Sequence, residues 1–370
     1  MQPDAGLLAG PPGGSAHLRV AVPFGGGGAT ACGRQEGFCM TSPPHHLRRP
    51  DTPESRARWL HEVGGLSVAE IGWRLGLSAE RVRALLDEGA VEPVTIPGGA
   101  AGARLMRQLS RRLREMYPAL RAVHLAPLGP GVQDPVPAIA SAAARWLTRL
   151  VQSRAAPQVV GLSHGRSLAA MVRQLPEMRA PDLCFVSLLG ELTLSHTAYP
   201  HVVMNYLAQR FGAQAFPFPA TLYVETPEER AELTRLPVVR KVTDLARAAD
   251  IWIVGIGRAT AQNQLLGTGM ILPGCLAKIT NQGAQCEILG RFFDGEGNEL
   301  DTPLAARTLS PPKDLFAGRR IVGLAGGPDK VAPVHAALRG GLIQELVTDS
   351  RTAVALLDAA EQADYALLLG

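Results

Sequence analysis

From residue 120 onward the chain repeats one device, a short apolar run followed by a segment with helical periodicity. The runs are Leu120 to Leu125, Gln158 to Leu162, Leu183 to Leu189, Ile251 to Gly255 and Ile321 to Ala325. Between them, Ile139, Ala143, Trp146, Leu147 and Leu150 form one helical stripe, and His201 to Phe211 and Val331 to Leu338 read as further helices. Strands that are apolar throughout are buried on both faces. They therefore need helices above and below, which requires a mostly parallel sheet. The expected class is α/β, with this large domain spanning residues 119–370.

A chain of 370 residues with 46% hydrophobic content has room for a second domain. Its net charge of +4 is mildly basic, which is compatible with a nucleic-acid partner without requiring one. The five cysteines, Cys32, Cys39, Cys184, Cys275 and Cys286, form no CxxC pair or even framework, so no metal or disulfide scaffold is expected. A reducing cytoplasm fits that usage. No apolar run reaches the roughly 18 residues that span a bilayer, and no membrane partner is expected. Residues 1–50 are rich in Gly and Pro and read as a disordered tail, with Met40 an alternative start of translation.

Residues 51–95 carry two short helices joined by a tight turn. Ser67 caps the first, with Glu70 completing a capping box, and Val68, Ile71 and Leu75 on its inner face. Gly76 ends it, Leu77 plugs the angle, and Ser78 caps a second helix whose Val82, Leu85 and Leu86 face inward. This is the pattern of a helix-turn-helix, whose second helix places its N-terminal residues against base edges in the major groove. Operator DNA is the expected partner. The expected contacts are Ser67, Ser78, Ala79, Glu80, Arg81 and Arg83, with Arg81 and Arg83 the leading readers. An ordinary helical hairpin is the alternative. Residues 96–118 read as a linker helix bearing Arg104, Arg107, Arg111, Arg112 and Arg114, a run equally suited to a solvated face.

In a parallel sheet, ligands gather beyond the strand C-termini, where helix N-termini favour anions. Two loops meet that rule. Gly161-Leu-Ser-His-Gly-Arg-Ser167 offers hydroxyls at Ser163 and Ser167, a close approach at Gly165, the cation Arg166 and the ring of His164. A plain turn with Ser167 as N-cap is the alternative. Gly323-Leu-Ala-Gly-Gly-Pro-Asp-Lys330 offers Gly326, Gly327 and the cation Lys330, unless that lysine points to solvent. Gly257 and Asn205 are weaker candidates. Asp294 reads as a turn residue, and no catalytic triad stands out.

Taken together, the chain resembles the SorC family of sugar-responsive transcriptional regulators, whose effector domain is shared with DeoR-type regulators. The resemblance rests on the helix-turn-helix, the Gly161 to Leu168 loop, Ala249-Asp-Ile-Trp-Ile-Val-Gly-Ile-Gly257, Glu287-Ile-Leu-Gly-Arg-Phe-Phe-Asp294 and Val322 to Asp349, in the family's order. It implies a Rossmann-like, phosphosugar-isomerase-type effector domain, a phosphorylated sugar as effector, no cofactor, and a homo-oligomer, a tetramer, on operator DNA. It places Ser163, Gly165, Arg166 and Ser167 in the phosphate loop and Lys330 after the paired glycines. The second helix departs from the family in having Ala79 and Arg83, so the operator sequence does not carry over. The competing readings are a sugar-phosphate isomerase or deaminase using Lys330 or His164 in proton transfer, and an interaction module without a ligand.

Overall fold

In a computed structural model the apolar runs become parallel strands. Residue 57 and residues 67–87, 99–129, 131–153, 156–192, 202–358 and 362 are described. The tail expected over residues 1–50 lies outside them. The strands are β1 (Ala122–Ala126), β2 (Val159–Leu162), β3 (Cys184–Ser187), β4 (Gln214–Phe216), β5 (Ile251–Gly255), β6 (Gly257–Arg258), β7 (Cys286–Ile288), β8 (Arg291–Phe293), β9 (Ile321–Leu324) and β10 (Glu345–Asp349). Seven of them form one sheet in the order β1-β10-β9-β5-β2-β3-β4, every pairing parallel.

Alternate residues of each strand enter opposite layers, as the two-residue repeat of a strand demands. Trp252 and Val254 of β5 join one hydrophobic cluster, and Ile251 and Ile253 join the other. Helices Val136–Val151, Arg166–Arg173 and Val202–Phe211 cover the second cluster. Helices Gly99–Met116, Pro237–Ala248, Pro273–Asn281 and Val331–Arg339 cover the first. Of the expected stripe, Ile139, Ala143, Trp146 and Leu147 are buried and Leu150 packs against them.

Two strands escape the sequence reading. Interior strand β10, next to edge strand β1, carries Glu345, Thr348 and Asp349, yet all five of its residues are buried. Both carboxylates are satisfied internally, Glu345 by His124 and Arg320 and Asp349 by Thr352, while the buried Thr348 hydroxyl has no partner among the described residues. Edge strand β4 has only three residues. A smaller antiparallel sheet, β6-β7-β8, was also not expected. Its β7–β8 hairpin turns on Leu289 and Gly290, at φ 56° and 78°. Positive φ at both central residues suits the twist of a two-residue hairpin.

Near the N-terminus, helices Val68–Leu75 and Ala79–Asp87 meet across the expected turn. The Ser67 hydroxyl accepts the Glu70 N–H at 3.3 Å, and the Ser67 N–H donates to Glu70 Oε2 at 2.8 Å. Gly76 is left-handed at φ 66°. Buried Gly72 lets the turn close, because a Cβ there would overlap the Leu77 carbonyl oxygen. Ala57, Ile71, Val82 and Leu85 form the core, with Val68, Leu75 and Leu77 against it. The Leu86 side chain lies outside the described residues.

Candidate functional site

Strands β9, β5 and β2 are consecutive in the sheet, and there the winding reverses: the chain runs outward to β3 and β4 on one side and to β9 and β10 on the other. A crevice opens at such a reversal. The loops leaving these three strands, with the β6-β7-β8 ribbon above them, line one cleft containing Ser163 to Leu168, Gly257, Gly326 and Lys330.

On the β2 side, Gly165 adopts φ 148° and stands immediately ahead of helix Arg166–Arg173 with no side-chain cap. The first amides of that helix therefore have no partner within it and face the cleft. Gly165, not Ser167, occupies the N-cap, and Ser167 lies inside the first turn. Buried Ser163 ties the loops together: its hydroxyl accepts the Gly255 N–H at 2.9 Å and donates to the His164 carbonyl at 3.2 Å. What the loop offers an anion is thus the helix end and exposed Arg166.

On the β9 side, Lys330 does not point to solvent. It ends the short turn Pro328–Lys330, just before helix Val331–Arg339, and its Nζ donates to the Ile256 carbonyl at 2.6 Å. Burial first, opposed by the pull of Glu287 and aided by the cations Arg258 and Arg166, lowers its pKa to about 8. Gly326 reaches the cleft, but Gly327 turns away. The Gly327 N–H donates to Asp349 Oδ2 at 3.0 Å and to Thr352 Oγ1 at 2.7 Å, so that amide is engaged by the fold.

The ribbon supplies the groups that sequence reasoning did not assign. Gly257 of β6 pairs with Glu287 of β7, and a Cβ at Gly257 would overlap the Glu287 carboxylate. Glu287 accepts the Gly290 N–H at 2.6 Å. Burial raises its pKa, with the Gly290 N–H and Lys330 opposing that rise. Arg258 is paired with Asp329 and lines the same cleft, as do Gln262 and Gln264. Leu289 contributes apolar wall from a backbone conformation uncommon for leucine. Asn205 falls on helix Val202–Phe211, but its side chain lies outside the described residues.

On the second helix of the pair, Ala79, Glu80, Arg81 and Arg83 are all exposed. Ser78 Oγ accepts the Arg81 N–H at 3.1 Å, and Ser67 is held in its capping box. Both serines therefore fix helix starts. Arg81 and Arg83 are exposed on either side of buried Val82.

A family model described as "Putative sugar-binding domain" matches residues 103–358. The Erythritol catabolism regulatory protein EryD of Brucella abortus is 36% identical over 314 residues, 83% of this chain and 96% of the relative. The transcriptional regulator LsrR of Klebsiella pneumoniae is 30% identical over 320 residues, 82% and 92% of the two chains. The chain belongs to the SorC family of sugar-binding transcriptional regulators. The fold agrees: the full-length sorbitol operon regulator SorC from Klebsiella pneumoniae superimposes at a TM-score of 0.60 with 21% identity, covering 82% of this chain and 98% of that one.

In this SorC-family regulator, Glu287 lies in a segment that carried the resemblance, but nothing local marks it as a site residue. Its partners Gly257 and Lys330 are far away in sequence. An acidic residue opposite glycines in an antiparallel ribbon is the only signal, and it requires the pairing to be known. Asp294 keeps its expected turn role, accepting the Glu296 and Asn298 amides.

Proposed function

We propose that this SorC-family regulator binds operator DNA through residues 51–95 and releases or grips it in response to a small phosphorylated sugar or polyol. The effector occupies the cleft of a domain spanning residues 119–370, reached through the linker 96–118. The observation that carries this reading is the convergence of Arg166, Arg258, Lys330, a helix N-terminus and the Glu287 carboxylate on one cleft. Three cations and a helix end suit a phosphate, and a carboxylate accepts hydrogen bonds from hydroxyls. The relative named for erythritol catabolism favours a short polyol phosphate among such ligands.

Arg81 and Arg83 read bases, Glu80 and Ala79 border them, and Ser67 and Ser78 preorganise the helices. A homotetramer in the cytoplasm presents paired recognition helices at half-sites one helical turn apart, or a multiple of it. Control requires the effector to bind the DNA-competent and DNA-free arrangements with different affinity.

One observation favours an enzyme. Lys330 and Glu287 are titratable groups with shifted pKa values in a cleft, the pattern of an acid–base site. The test that separates the readings is a panel of polyol and sugar phosphates with their unphosphorylated counterparts, scored by melting temperature, operator release and turnover. A ligand that binds only the folded state must raise the midpoint. Stabilisation by a phosphorylated member, coupled to a change in operator binding and without turnover, supports the regulator. Turnover with no effect on DNA overturns it.

A further inference from the structure

Helix Gly99–Met116 carries five arginines against one glutamate. Four of them, Arg104, Arg107, Arg111 and Arg114, recur at intervals of three, four and three residues. That spacing places them on one face, about 15 Å from first to last. All four line an open groove of about 560 Å³ together with Arg121, which precedes β1. Among the described residues strand β1 ends the large sheet, so the groove runs beside that end of it.

The opposite side of the helix is buried: Leu109 and Leu113 enter the effector-domain core. The stripe is therefore held in place by packing. Its neutralisation is slight. Arg111 meets exposed Glu115 at 3.6 Å, and Arg114 reaches the Ser110 carbonyl at 3.4 Å. Among the described residues, the side chains of Arg104, Arg107 and Arg121 make no hydrogen bond or ion pair; the Arg121 backbone N–H donates to the Gln344 carbonyl.

We infer that this stripe is a second DNA surface, contacting the phosphodiester backbone beside the site read by the helix-turn-helix. The inference rests on the DNA-binding reading above. A second copy of the same face is excluded as occupant by charge, since it would set arginine against arginine. An apolar partner would strip water from guanidinium groups and give them nothing in return. A polyanion satisfies them, and the chain's own electrostatics say why one is needed here. Over residues 48–92 the helix-turn-helix region carries seven arginines and eight acidic residues, so it supplies no net positive field of its own. Sequence-independent DNA affinity comes from phosphates neutralised by cations, and phosphate contacts fix register without reading sequence. The linker stripe supplies the charge that the reading module lacks.

The test uses the full chain and a fluorescent random-sequence duplex of about 30 base pairs, titrated across a range of KCl concentrations. Replacing Arg104, Arg107, Arg111 and Arg114 together by Gln keeps helix propensity and most of each stem. The expected result is a shallower dependence of log Kobs on log [KCl], by about 0.9 for each phosphate contact removed. Binding should fall at least tenfold at low salt, with unchanged melting temperature and oligomeric mass. The same four positions as Lys should restore the slope. Wild-type binding with an unaltered slope in the Gln variant overturns the stripe while leaving the helix-turn-helix reading intact. A change in oligomeric mass without a change in slope also overturns it, by making the face a contact between copies. Failure of the wild-type chain to bind any duplex overturns both.

Discussion

The helix-turn-helix and the effector cleft hold their charges in opposite ways. Arg81 and Arg83 stand exposed on a short helix, whereas Lys330 and Glu287 are drawn into protein and touch each other's field. Exposed guanidinium groups stay charged at every accessible pH, but salt screens them. Charges withdrawn from water are screened far less, but burial makes their protonation sensitive to their surroundings. Ionic strength should therefore govern the DNA side of the molecule, and pH the effector side.

The largest test of that contrast is the combined Arg81→Ala and Arg83→Ala variant. A good bidentate arginine–base contact is worth about 1–3 kcal/mol of discrimination. Losing two should cost about 30-fold to 10⁴-fold in preference for operator over random DNA. Competition binding at one fixed salt concentration measures it. The effector-induced rise in melting temperature should be untouched, and retained operator preference would break the assignment of this helix.

Next in size is Lys330→Met, which keeps the stem and removes the charge. A hydrogen bond to a charged partner is worth about 1.5–3 kcal/mol, so affinity for a phosphorylated effector should fall about tenfold to a hundredfold by calorimetry. In the wild type, Lys330 is protonated below its folded pKa of about 8, so anion binding should weaken as pH rises through that value. Stability runs the other way. From about 8 up to its ordinary value of 10.5, the unfolded chain holds a proton that the folded chain has released. Raising the pH across that window therefore stabilises the ligand-free fold. The Met variant should lose both trends, and persistence of either would assign it to another group.

That contrast also explains what could be read from the chain. Caps, turn and inner face of the helix-turn-helix are set by residues three or four apart, so Ser67, Glu70, Gly76 and Ser78 announce themselves. The Ser163 and Lys330 loops were legible because each follows an apolar strand. Glu287 and Arg258 were not, since they arrive on a ribbon whose register joins Gly257 to Glu287 across a long stretch of chain. Strand β10 was hidden by polar residues whose partners, His124, Arg320 and Thr352, lie on other elements. The outward turn of Gly327 depends on Asp349, which paired glycines in a sequence do not reveal.

Gly257→Ala tests that long-range assembly directly. The added methyl would overlap the Glu287 carboxylate, and overpacking of this kind costs about 1–3 kcal/mol. The melting temperature should drop by several degrees and effector affinity should fall with it. Adding Glu287→Ala should return much of the stability but not the affinity. Recovery of both would show that the carboxylate does not touch the ligand.

The smallest effect belongs to the local side of the contrast. Ser67→Ala removes a cap worth about 1 kcal/mol. The Glu70 carboxyl is held below its ordinary pKa chiefly by the Ser67 hydroxyl, then by the Ser67 N–H. A carboxyl with a lowered folded pKa stabilises above its unfolded value of 4.5, and that contribution is lost as pH falls through the folded value. Acid should therefore loosen the helix-turn-helix in the wild type, read as smaller protection of the Glu70 and Ile71 amides relative to the intrinsic exchange rate at each pH. In Ser67→Ala that protection should already be smaller at neutral pH and should change less on acidification. Equal acid sensitivity in the two proteins would mean that the capping box contributes nothing to how this module is held.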